Sequence, residues 1–144
     1  MNVRPFRAHD PVQAHIAAVY DEFGLAFDPA FEDDLLDVGA SYRDGAFWVA
    51  EDDAGLVACG GVLPNGGARL IQRIYVAPRG RRAGLARRLL HLGCAFGDFA
   101  VTELWSDVRF RGAHRLYLSE GFRPGPVRML ADPDASVERY FSRR

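Results

Sequence analysis

The chain contains no lysine; all 18 of its basic residues are arginine. That absence excludes a Walker-type phosphate loop, whose lysine must reach the phosphates, and any chemistry run through a lysine Schiff base. Cysteine is scarce. Cys59 and Cys94 stand far apart in apolar surroundings, which reads as two small buried side chains in a reducing compartment. His9, His15, His91 and His114 are scattered, and neither they nor the cysteines show metal-ligand spacing, so no metal site is expected. There is no run of about 18 apolar residues that would suit a membrane span. The opening MNVRPFRAHD lacks the apolar stretch of a secretory signal. The expectation is a cytoplasmic protein with no membrane partner.

What is present fits one folded domain over residues 1–144, long enough to bury a core. The formal net charge is only −1, yet the charges are segregated. Residues 21–53 hold eleven acids and one base, Arg43, whereas residues 54–144 hold fifteen arginines and seven acids. Two surfaces of opposite sign are expected, and with them two ligands of opposite charge. A plainly solvated acidic face is the alternative.

Apolar periodicity divides the chain. Val3 to Phe6 reads as a first strand. Asp10-Pro11 opens a helix, with Asp10 as cap, that carries Val12, Ile16, Val19, Tyr20 and Phe23 and ends at Gly24. Asp28-Pro29 opens a second, shorter helix with Phe31, Leu35, Leu36 and Val38, closed by Gly39. Residues 46–50 and 56–63 form a hairpin about the turn at 52–55, and 69–76 is the next strand. A helix follows with Leu85, Leu89, Leu92 and Phe96 on one stripe, stopped by Gly97. Residues 101–108 read as a strand, and 111–120 as a helix with Ala113, Leu116 and Tyr117 on one face. Two short strands at 127–131 and 137–141 flank a turn at 132–134. The order β-α-α-β-β-β-α-β-α-β-β predicts a mixed α/β domain with a central sheet.

The stretch VAPRGRRAGLARRLL at 76–90 carries the chemistry. Arg79, Arg81, Arg82, Arg87 and Arg88 lie where a strand gives way to an amphipathic helix. Free N–H groups at a helix N-terminus attract anions, Gly84 and Ala86 let a bulky anion approach, and Gly80 lets the loop turn. Arg81 and Arg82 add contacts suited to phosphate. The competing account is a solvated helix face. A nucleic-acid surface is disfavoured, since no aromatics interleave the cluster and the pI is about 6.4. A dinucleotide-binding Rossmann unit fits poorly, because the glycine loop follows the third of several hairpin-connected strands.

The segment Val76-Ala77-Pro78-x-x-Arg81-x-x-Gly84-Leu85-Ala86 resembles the acyl-CoA pyrophosphate loop of the GCN5-related N-acetyltransferases (GNAT), Gln/Arg-x-x-Gly-x-Gly/Ala. Downstream, Ala113-His114-Arg115-Leu116-Tyr117-Leu118-Ser119-Glu120-Gly121-Phe122 resembles that family's Ala-x-x-x-Tyr-x-x-x-Gly-Phe stretch. The resemblance implies a GNAT-like fold, a mostly antiparallel sheet flanked by about four helices. It also implies an N-acetyltransferase that uses acetyl-CoA as cosubstrate on a small-molecule or peptide amine. Dimers are frequent in the family, which leaves a homodimer open.

Residue by residue, the resemblance assigns the pantetheine-binding strand to Ile74, Tyr75 and Val76. It assigns the pyrophosphate loop to Arg81, Arg82, Ala83, Gly84, Leu85 and Ala86, with Arg79 or Arg87 toward the 3′-phosphate. It makes Tyr117 the general acid that protonates the leaving thiolate. By side-chain type and spacing alone, without the Gly-Phe context, Tyr117 reads as a core aromatic on a helix face. The sequence departs from the family at two places. Residues 69–73 lack the strand glutamate that often serves as general base, and Phe110 stands where many members have asparagine. The base is therefore open among Glu103, Asp107 and water. Asp28, Glu32, Asp33, Asp34 and Asp37 are expected to draw in a cationic acceptor. Without a strand base, a non-catalytic acetyl-CoA-binding or sensor module is the alternative function.

Overall fold

A computed structural model describes all of residues 1–144. Seven strands form one sheet in the order β1-β2-β3-β4-β5-β7-β6. Their ranges are β1 Val3–Pro5, β2 Ala46–Asp52, β3 Gly55–Asn65, β4 Ala68–Val76, β5 Val101–Asp107, β6 Arg123–Met129 and β7 Val137–Arg143. Every pairing is antiparallel except β4 with β5. That parallel ladder runs only from Ala68/Val101 to Ile71/Leu104. Beyond Ile71 the two strands part, and the sheet opens in its middle.

Helices cover both faces of the sheet. α1 (Val12–Glu22) buries Val12, Ile16, Val19 and Tyr20. It shares a core with Leu35, Val38 and Tyr42 and with Phe47, Val49 and Cys59 of the sheet. α3 (Leu85–Cys94) and α4 (Arg111–Ser119) lie on the opposite face. There Leu90, Tyr117 and Phe122 pack with Val62, Ile71, Leu104 and Phe141, while Leu85 and Leu89 pack with Ala50, Val57 and Ala58. No helix is long and apolar enough to cross a membrane.

Four local expectations need correcting. Asp10 does not cap α1. Its carboxylate turns back to accept from both terminal nitrogens of Arg4 (2.9 Å each) and from the Arg7 N–H (2.7 Å), and the hydrogen bonds from Arg4 lower its pKa. The second helix, expected from Asp28 to Gly39, is a 3-10 turn at Asp33–Leu35 followed by the one-turn helix α2, Val38–Ser41. Aspartates compete with the helix for backbone N–H groups. Here Asp28 takes the Ala30 N–H and Asp37 takes that of Ala40. Gly39 therefore sits inside a helix instead of closing one. On α3 the buried stripe is Leu85, Leu89, Leu90 and Gly93, while Leu92 is exposed. Gly93 lets the helix approach the sheet, since a Cβ there would lie 2.9 Å from Ile71 Cδ1. Finally, β6 begins at Arg123 and runs through Pro124 and Pro126. An outermost strand tolerates prolines that a central one does not.

Candidate active site

The opening between β4 and β5 is prepared by a bulge. Gly61 pairs with Gln72 and Cys59 with Tyr75, so Arg73 and Ile74 together oppose Gly60. Arg73 takes a left-handed conformation, φ 62°, as a bulge residue can. Past it, β4 follows β3 alone. Ala77 N–H donates to Val57 O at 2.8 Å. Antiparallel alternation then turns the amide and carbonyl of Val76 toward the opening. The side chains of Ile74 and Val76 pack on the α3 side with Leu85 and Leu89. Tyr75 points to the α1 side, edge-on to Tyr20 and Phe110.

The loop after β4 makes one 3-10 turn at Pro78–Gly80, and left-handed Arg82 (φ 64°) and Gly84 (φ 75°) then carry it into α3. This path leaves the first-turn amides of α3 without helical partners. A cavity of about 280 Å³ lies against them, lined by Val76, Gly80, Arg81, Arg82, Gly84, Leu85, Ala86 and Arg87 and by Leu116 of α4. Of the predicted binding residues, Ile74, Tyr75 and Ala83 do not line it. A larger groove of about 950 Å³ lies elsewhere, beside the N-terminal half of α1 and residues 35–39. It has none of these amides. Nothing stands within 4 Å of a Cβ built on Gly84, so space is not what requires glycine there. The positive φ is. Gly84→Ala is expected to cost about 1–2 kcal/mol of stability from left-handed strain, read as a Tm lower by roughly 3–6 °C.

The arginine cluster divides sharply. Arg79 donates to Asp52 (2.9 Å) and to Leu56 O. Arg81 grips Glu22 at the end of α1 through both terminal nitrogens, 2.5 and 2.7 Å, and its Nε reaches Val76 O. Arg87 pairs with Glu120 and Arg88 donates to Met1 O. Arg82 alone makes no hydrogen bond or ion pair through its side chain. Most of the cluster therefore braces the loop, and Arg82 is the guanidinium free to meet an anion.

Tyr117 lies on α4 one residue past cavity-lining Leu116, its ring against Phe122 and Phe141. It is 5% exposed. Burial raises the pKa of its phenol, with the Tyr75 phenol adding to the rise and the Ser106 hydroxyl opposing it. The group is therefore a neutral acid at physiological pH. The strand acids are already engaged. Glu103 accepts from Asn65 and Tyr140, both at 2.6 Å, and Asp107 accepts from the N–H and Nε of Arg109.

Sequence reasoning missed a polar cluster on the α1 side. Arg73 Nη2 and Nε donate to Asp34 at 2.6 and 3.1 Å, Nη1 donates to Tyr20 Oη at 3.3 Å, and Glu32 lies 3.8 Å away. Tyr20 donates to Glu32 Oε1 at 2.8 Å and sits 3.2 Å from Tyr75 Oη. The available signal was an arginine amid the apolar run Leu70-Ile71-Gln72-Arg73-Ile74, since a half-buried cation requires a partner. Glu32 and Asp34 are thus bound internally and Asp37 caps α2. Asp28 spends an oxygen on the Ala30 N–H, so of the five acids expected to draw a cation only Asp33 has a carboxylate with no hydrogen bond or ion pair.

A family model described as an acetyltransferase (GNAT) domain matches residues 43–124. No curated protein matches the chain. Among solved structures, it is similar to an acetyltransferase of the GNAT family from Staphylococcus aureus Mu50, with a TM-score of 0.82, 19% identity, and 99% of this chain and 97% of that one covered. It is also similar to ribosomal-protein-alanine N-acetyltransferase from Brucella melitensis (TM-score 0.68, 15% identity, 99% and 99% covered). A third likeness is to spermidine N-acetyltransferase from Vibrio cholerae (0.66, 16%, 99% and 94%). At these identities the likenesses establish the fold.

Proposed function

Since the chain belongs to the GNAT acetyltransferase family, we propose that it transfers the acetyl group of acetyl-CoA to a primary amine by direct attack. The observation that carries this reading is the small cavity at the junction of β4 and α3, with unpaired amides on one wall and the opened strand on the other. The α3 amides and Arg82 would hold the pyrophosphate. Backbone groups of Ile74 and Val76 would hold the pantetheine arm, with the thioester lying at the opening.

A backbone N–H of the opened strand can then stabilise the oxyanion that forms when the amine adds to the carbonyl carbon. Tyr117, on the α3 side, gives its proton to sulfur as the C–S bond breaks. The amine enters from the α1 side, where Tyr75, Tyr20 and Phe110 stand. Its chemistry is a primary amine of a small molecule or of a peptide; the similar proteins above are named for spermidine and for ribosomal-protein alanine.

Thermal unfolding with acetyl-CoA, with NAD and ATP as controls, tests the cradle. At about 100 times Kd the ligand adds roughly 2.7 kcal/mol, a Tm rise of roughly 6–10 °C. No rise in folded protein would remove the cradle assignment. Thiol release with an amine panel of spermidine and an alanine-initiated peptide then tests transfer.

A further inference from the structure

We propose that Tyr75, Tyr20 and Glu32 form a proton relay that takes the acceptor's proton during transfer, in place of a carboxylate on the strand. The inference rests on the transferase reading above. Its starting point is that β4 carries no acid between Arg69 and Val76, and that Glu103 and Asp107 of β5 are held by other partners.

The polarity of the hydrogen-bond chain is set by its far end. Glu32 accepts only, so Tyr20 must donate to it, at 2.8 Å. Tyr20 Oη already accepts from Arg73 at 3.3 Å. The proton between the two phenols, 3.2 Å apart, therefore belongs to Tyr75. That leaves a lone pair of Tyr75 Oη available to an incoming N–H. Glu32 is anchored at its other oxygen by the Asp28 N–H, 3.1 Å.

Several charged and titratable groups surround the chain, among them Cys59 of β3, which acts on Tyr75 and donates to Arg73 O at 3.2 Å, and Tyr117 of α4, whose phenol interacts with that of Tyr75. Arg73 and Tyr75 come from β4, Tyr20 from α1, and Asp34 from the 3-10 turn, where it holds Arg73 and accepts from Tyr42. His15 of α1 contacts Tyr75 only at its carbonyl. Arg73 opposes the effect of burial on both phenols, so negative charge passing through them is partly compensated.

Topology separates the two proton transfers. Tyr75 and Tyr20 stand on the α1 face and Tyr117 on the α3 face, with the opening between them. As the C–N bond forms, the amine gives one proton to Tyr75, Tyr75 gives its own to Tyr20, and Tyr20 gives its own to Glu32. As the C–S bond breaks, its electron pair goes to sulfur, which takes a proton from Tyr117. Glu32 then loses a proton to solvent and Tyr117 regains one.

The test is the pH profile of kcat for Tyr20→Phe, Glu32→Gln and their double variant, with the fastest amine of the panel, alongside acetyl-CoA affinity. Tyr20→Phe breaks the chain without changing a charge, so it decides the matter even if Glu32→Gln fails to fold. Each single variant is expected to lose about 100-fold in kcat at neutral pH with acetyl-CoA affinity unchanged. The residual rate should climb about tenfold per pH unit, as hydroxide replaces the relay. The double variant should be no slower than either single one, as for groups acting as a unit. Tyr20→Phe with kcat within twofold and an unaltered profile would overturn the relay alone. Wild-type protein that binds acetyl-CoA but transfers to no amine would overturn the transferase reading, and the relay with it.

Discussion

Tyr117→Phe is expected to lower kcat by roughly 10²–10³-fold while acetyl-CoA affinity stays within about twofold. The ring is preserved, so its packing on Phe122 and Phe141 survives. Only the hydroxyl is lost. A phenol already holds its proton across the neutral range at its ordinary pKa, and burial raises that value further, so Tyr117 is protonated at the start of every turnover. Removing it forces a bare thiolate to leave, a cost confined to the transition state, so kcat should fall with KM for acetyl-CoA nearly constant. Steady-state thiol release paired with calorimetric binding measures both quantities. Unchanged kcat would return Tyr117 to the role of a core aromatic.

The second large effect concerns stability. Arg73→Met is expected to destabilise the fold by about 3–5 kcal/mol, because Asp34 and Glu32 lose the only cation beside them. The three side chains are 16%, 22% and 12% exposed, so water screens them poorly. For a chain of this length the loss corresponds to a Tm lower by roughly 10–15 °C. Chemical denaturation should show a lower midpoint at an unchanged slope. A change below about 1 kcal/mol would mean that the segment 28–37 is held by Leu35, Val38 and Tyr42 alone. The variant also separates structure from proton transfer, since Tyr20→Phe leaves this ion cluster intact.

The parts of the fold legible in the sequence were those where local signals agreed. The β4–loop–α3 unit combined an apolar strand, small residues in the loop and a helical repeat, though the glycine that takes the left-handed conformation is Gly84 and not Gly80. Segment 28–41 was misread because Asp28 and Asp37 use their carboxylates on nearby amides, and what holds the segment is distant: Arg73, some forty residues on. The arginine cluster was visible as charge but not as struts. No local pattern reveals that Arg81 meets Glu22 or that Arg79 meets Asp52. A bulge on this strand is implied by the family resemblance and by no local pattern, and its place at Arg73 and Ile74 depends on the register of two strands. The strongest missed hint was Arg73 itself, an ion in an apolar run.

The ion pairs that brace this molecule have one chemistry in common. Each has arginine or histidine as its cation. A guanidinium stays protonated and offers no nucleophilic amine at neutral pH. A lysine in any of those places would present an ε-amino group that an activated acyl donor can modify, with loss of charge and of the bridge. A protein that uses such a donor is thereby braced, in every pair but that of His91, by guanidinium ions that self-acylation does not erase.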